Sequence, residues 1–120
     1  MKLTRTVFGV VVAVAMVLGA ATLQAHMKLE KSEPAANAVV AKPLPHVQVF
    51  FSEAPDLKVS KLELKGPSDK TKLVQVHVMD KSLMAVVDGE MPDGVYTVSW
   101  QAAGKDGHIQ KGDFTFTVKR

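Results

Sequence analysis

The chain has 120 residues, with 15 basic and 12 acidic side chains, 47% hydrophobic residues and no cysteine. No Lys/Arg cluster is interleaved with aromatics, so nothing points to nucleic acid, and without thiols neither a disulfide framework nor a thiolate metal site is available. The fold must be held by its core, and any metal must be taken by His, Asp, Glu, Met or the N-terminus.

The first 25 residues have the three-part layout of an export signal. Lys2 and Arg5 form the positive region, and residues 7–18 are an uncharged run that falls short of the roughly 20 apolar residues of a membrane span. Small residues follow, with Ala25 at the −1 position and Leu23 at −3; a cut after Ala21, with Gly19 at −3, competes, and an uncleaved anchor is the third reading. Cleavage after Ala25 leaves residues 26–120, 95 in number, which is one small domain with one core. Losing Lys2 and Arg5 leaves 13 basic against 12 acidic residues, so the apparent basicity belongs to the targeting segment.

From residue 27 the chain reads as short strands between turns. Residues 27–31 alternate apolar and charged side chains and stop at Ser32-Glu33-Pro34, after which a loop rich in Ala, Asn and Pro runs to Pro45. Residues 47–51 form a β-branched and aromatic strand, and residues 59–64 alternate before the turn cluster Gly66-Pro67-Ser68-Asp69. In residues 72–78 the alternate positions Val74, Val76 and Val78 make the expected inward face, which puts His77 toward solvent. Residues 83–87 are closed by Asp88-Gly89, and Met91-Pro92-Asp93-Gly94 turns into residues 95–102, where Tyr96 and Trp100 share a side as one core anchor and one edge residue. The last strand is residues 112–119, with Phe114, Phe116 and Val118 on one face; as the sequence runs out just after it, neither a tandem domain nor a membrane anchor is expected. Roughly seven strands with no helical period predict an all-β, antiparallel Greek-key sandwich or small barrel, of cupredoxin or immunoglobulin-like type.

Two features carry chemistry. In Asp106-Gly107-His108, residues two apart in an extended segment point the same way, so a carboxylate and an imidazole can converge on one ion. The same dipeptide is also an ordinary turn, with a solvated histidine beside it. The second feature is His26, which becomes the N-terminal residue if the signal is cut after Ala25. An N-terminal histidine closes a chelate ring with its α-amine and Nδ1, and the amine, with a pKa of about 7.7–8.0, releases its proton at modest cost. Together these residues offer an amine, two imidazoles and a carboxylate. That nitrogen-rich set suits Cu(II) or Ni(II) in a tetragonal arrangement, with copper favoured by the Irving–Williams order, and zinc in a tetrahedral one. His46 is expected exposed at a strand entrance, Met27 packing in a strand, and Met84 and Met91 filling core gaps.

In order and spacing, four blocks resemble the periplasmic copper-binding CopC family. They are His26 with Lys-Leu-Glu-Lys-Ser-Glu-Pro-Ala-Ala-Asn at 28–37, Val-Phe-Phe-Ser-Glu at 49–53, Met-Pro-Asp-Gly-Val-Tyr-Thr-Val-Ser-Trp at 91–100, and Asp-Gly-His-Ile-Gln-Lys-Gly-Asp-Phe-Thr-Phe-Thr-Val at 106–118. The resemblance covers residues 26–120. It implies a periplasmic, monomeric Cu(II)-binding protein of copper resistance and homeostasis, with the ion held by the amine and imidazole of His26 and by Asp106 and His108. Glu53 matches a family glutamate near the copper and is expected to bind weakly or to orient a ligand; its other reading is a solvated strand-end carboxylate. A CopD-type inner-membrane partner is implied for transfer. The Met-rich loop that supplies a Cu(I) site in some members is missing here, since residues 59–80 contain only Met79, next to His77.

Two other functions compete. A histidine-brace copper oxidative enzyme needs an open coordination position and an aromatic platform, and one Trp and one Tyr with a competing Asp106 argue against it. A metal-free immunoglobulin-like interaction module would make the histidines incidental.

Overall fold

The computed structural model describes residues 27–120. Eight strands follow one another: β1 (Leu29–Glu33), β2 (Val39–Val40), β3 (His46–Phe51), β4 (Lys61–Lys65), β5 (Lys72–Met79), β6 (Ser82–Asp88), β7 (Gly94–Ala103) and β8 (Ile109–Val118). They form two four-stranded sheets, ordered β1-β3-β6-β5 and β2-β8-β7-β4. Only β5–β6 and β7–β8 are neighbours in both sequence and sheet; every other connection crosses between sheets, as in Greek-key sandwiches. Among the described residues no helix is long and apolar enough to cross a membrane.

Period-two patterning places the core between the sheets. Val47, Val49 and Phe51 of β3 and Leu83 and Ala85 of β6 face Tyr96, Val98 and Ala102 of β7 and Phe116 and Val118 of β8, all buried. Met27 and Met91 lie just ahead of β1 and β7 and join the same core. Tyr96 stacks on Phe116 with ring centroids 5.3 Å apart, and Phe51 meets Trp100 edge to face, also at 5.3 Å. Gly66 is required here, because a Cβ at that position would lie 2.3 Å from the Tyr96 ring. Trp100 is half-buried at the margin, so the expected division into anchor and edge residue holds.

Four local expectations change. The loop to Pro45 contains β2, two residues that pair in parallel with β8 through Val39 and Val40. Residues 57–59 form a 3-10 turn capped by Asp56, whose carboxylate accepts from the Lys58 N–H, so β4 starts only at Lys61. On β5 the register to β6 shifts between Val74 and His77, where Gln75 has φ of 56°. That one-residue bulge reverses the phase: Leu73, Val76 and Val78 pack on the core, and Val74 and His77 both face outward. Met84 alternates with the buried Leu83 and Ala85 and therefore also lies on the outer face, not in the core.

Tyr96 gives the fold an alkaline limit. Its hydroxyl donates to Pro92 O at 2.6 Å, and burial raises its pKa above the ordinary 10.0, partly offset by a hydrogen bond with Thr71. A raised acid pKa means the neutral form is the one the fold favours. The resulting stability is complete below the unfolded-state value and is lost as pH climbs through the folded one. Tyr96→Phe is expected to cost about 1 kcal/mol at neutral pH and to flatten the loss of stability above pH 10, read from urea midpoints across the alkaline range.

Candidate metal centre

β7 and β8 are the longest strands, and their ten-residue register runs from Gly94↔Val118 to Ala103↔Ile109, so residues 104–108 form the hairpin loop. Gly107 N–H donates to Gly104 O at 3.1 Å, and Gly107 has φ of +76°, a left-handed conformation suited to glycine. Inside this turn the Asp106 carboxylate accepts from two groups of His108: the backbone N–H at 3.2 Å and ring Nδ1 at 3.2 Å. Asp106 and His108 therefore converge through a turn, not through strand alternation as the spacing suggests. The Asp106 carboxylate thereby holds the His108 ring beside itself. The His108 side chain is 69% exposed and that of Asp106 36%, so an ion can reach both.

Glu53 follows β3 and is half-buried. Its Oε1 accepts from Lys105 N–H at 3.1 Å, and a Cβ on Gly104 would fall 1.6 Å from that oxygen, so glycine makes the place for the carboxylate. Glu53 is thereby tied to the loop that carries Asp106 and His108. The start of the domain is tied to the same place: Ser52 N–H donates to Lys28 O at 2.8 Å, and Lys28 N–H donates to Ser52 Oγ at 2.9 Å. Met27 is only 2% exposed, which anchors the chain at this end. Asp56 N–H donates to Ala103 O at 2.8 Å and closes the β3–β4 connection against the end of β7.

Three of the four residues expected at the metal are thus described. Asp106 and His108 touch, and Glu53 binds the neighbouring backbone; His26 lies outside the described residues. Among the described residues no group of three or more His, Cys, Asp or Glu is set to hold a metal ion, so this loop needs further donors to make a complete site. The role of Gly104 was missed in reading the sequence, where an isolated glycine after a strand signals only a turn.

The CopC domain family matches residues 29–119. This chain belongs to that family. Copper resistance protein C of Escherichia coli is 34% identical over 115 residues, covering 87% of this chain and 90% of the relative. Protein YobA of Escherichia coli strain K12 is 34% identical over 99 residues, covering 79% of this chain and 80% of the relative. The crystal structure of PcoC, a methionine-rich copper resistance protein from Escherichia coli, superposes with a TM-score of 0.66 at 33% identity, covering 79% of this chain and all of that one. The match to the CopC domain takes in Glu53, the 104–108 loop and both of its strands, and begins three residues after His26.

Proposed function

We propose that this CopC-family protein is a periplasmic Cu(II) carrier in copper resistance and homeostasis, monomeric and without catalytic activity. Residues 1–25 direct export and are removed after Ala25. The α-amine and imidazole of His26 then bind copper together with the Asp106 carboxylate and the His108 imidazole, and Glu53 sits beside the ion. The relatives named for copper resistance support the metal, and the donor chemistry supports its oxidation state: nitrogen-rich, with hard oxygens and no thiolate or thioether, as Cu(II) prefers. Copper is cargo here, passed on to a CopD-type inner-membrane partner.

The observation that carries this reading is the pinning of Met27 and Lys28 beside Ser52 and Glu53, whose carboxylate in turn holds the loop of Asp106 and His108. The residue preceding Met27 is within one peptide unit of that anchor, about 3.8 Å between Cα atoms. Asp106→Ala and His108→Ala test it directly. Each is expected to weaken Cu(II) by at least about tenfold in a competition titration and to alter the copper EPR spectrum, without loss of folding, since both side chains are exposed. Cu(II) affinity should also fall as pH drops through the range in which amine and imidazoles gain protons. Wild-type affinity in both variants would sink the assignment.

A further inference from the structure

β8 is a sheet edge along most of its length. On one side it pairs with β7 over ten residues without a shift in register; on the other lies β2, whose pairing reaches only Thr117 and Val118. The bonds to that segment show which way the backbone groups point: Asn37 N–H donates to Thr115 O at 2.7 Å, and Thr117 N–H donates to Ala38 O at 2.9 Å. Hydrogen-bonding direction alternates along an antiparallel strand, so the odd-numbered residues of β8 turn N–H and C=O away from β7 and the even-numbered ones turn them toward it. Among the described residues no strand lies beside Ile109, Lys111 and Asp113 on that side, and all three are exposed.

The other long edges are guarded. β1 and β5 each carry a register shift, and β4 is short, with Lys61, Glu63 and Lys65 exposed. Bulges, shortness and charge are the usual means of keeping a stray strand off an edge. β8 is long and regular instead. Its inward row is Gln110, Gly112 and Phe114, and the Trp100 indole lies across Gly112, where a Cβ would fall 2.6 Å from the ring. Its outward row sets a cation, Lys111, two residues from an anion, Asp113.

We propose that residues 109–113 are a docking edge for an extended segment of a partner protein, which adds as an antiparallel strand with a basic residue opposite Asp113, an apolar residue opposite Gly112 and beside Trp100, and an acidic residue opposite Lys111. The slot is closed at both ends, by Asn37 at Thr115 and by the 104–108 loop ahead of Ile109. A second copy of β8 does not fit it. Only odd-numbered residues can bond across this edge, and with Lys111 against Asp113 the copy's Ile109 would fall opposite Thr115, where Asn37 already sits. Moved along by two residues to clear Asn37, the copy sets Lys111 against Lys111, and like charges directly opposite are destabilising. A docked antiparallel segment ends beside the 104–108 loop, so whatever follows its acidic residue is delivered to Asp106 and His108. The assignment rests on the sheet edge and not on the copper reading.

The test is amide hydrogen exchange and chemical-shift titration of the purified, isotope-labelled exported protein with the end-blocked peptide Lys-Val-Glu-Val-Thr, and with Glu-Val-Lys-Val-Thr as its charge-reversed control. In the protein alone the amides of Ile109, Lys111 and Asp113 are expected to exchange fast, and those of Gln110, Gly112 and Phe114, bonded to β7, slowly. The first peptide should slow the three fast amides and bind roughly fivefold more tightly than the control. The double variant Lys111→Glu/Asp113→Lys, which changes only exposed side chains, should reverse that preference. Four results would overturn the edge: no peptide-dependent protection of the three amides at millimolar peptide, equal binding of the two peptides, an unchanged preference in the double variant, or slow exchange of these amides before any peptide is added. Protection that grows with protein concentration alone would show a second copy on the edge and equally reject a partner segment.

Discussion

Placing one extra residue ahead of His26 in the processed protein, or replacing His26→Ala, is expected to weaken Cu(II) binding by on the order of 100-fold or more. The first change leaves the imidazole and removes only the free amine; the second removes the imidazole and keeps an amine. If the two donors act as one chelate, both lose most of the affinity, because either breaks the ring. Apo-protein stability should not move in either variant, since the buried anchor at this end is Met27, at 2% exposure. What disappears is the rise in Tm on adding Cu(II), which exists only while the native state binds the ion more tightly than the unfolded chain does. Chelator competition, EPR and melting curves with and without Cu(II) read the three consequences separately. Full Cu(II) affinity in the extended protein would show that the amine is not a ligand. Mass spectrometry of the exported chain tests the premise, since a protein beginning at Thr22 would already be in the extended state.

Phe51→Ala is expected to cost about 3–5 kcal/mol, the largest stability effect of any substitution considered for this fold. Phe51 is 1% exposed, lies between the sheets, and meets Trp100 edge to face. A chain without disulfides has nothing else to offset the cavity, and domains of this size have only about 5–15 kcal/mol in total. Tm should fall by more than about 10 °C. Metal binding should suffer too, because Phe51 immediately precedes Ser52 and Glu53, which hold Lys28 and Lys105. A melting temperature within 3 °C of wild type, roughly a 0.5 kcal/mol change on that scale, would mean the inter-sheet core closes over the gap.

Much of this architecture is legible in one dimension. Strands with one buried face need only period-two alternation, and His46–Phe51 and the Phe114-Phe116-Val118 face follow it without exception. Asp106 and His108 are recognisable by residue type and by their place between the two longest strands. Errors fell where the backbone departs from regular alternation. Bulges leave no mark in hydrophobic pattern: in residues 72–79 the choice between Leu73 and Val74 as inward residue is open until Gln75 takes φ of 56°. Met84 was misplaced for a related reason, since methionine is apolar enough for a core and its face is decided by the pairing of β6 with β3 and β5. β2 is two residues long and parallel to β8, too short for any periodic signal.

The sequence alone determined the class of fold, the absence of thiol chemistry, and the donor types available for a metal, because these depend on composition and local alternation. Family membership, read from the order of four motif blocks, was also within its reach. Tertiary structure decided which of those donors are neighbours. Glu53 reaches the 104–108 loop because Gly104 leaves it room, and Lys28 is held beside Ser52 by two hydrogen bonds across 24 residues of chain. A single bulge turns His77 outward. Such contacts are set by register and by the packing of one sheet on the other, and neither is encoded in any short stretch of residues.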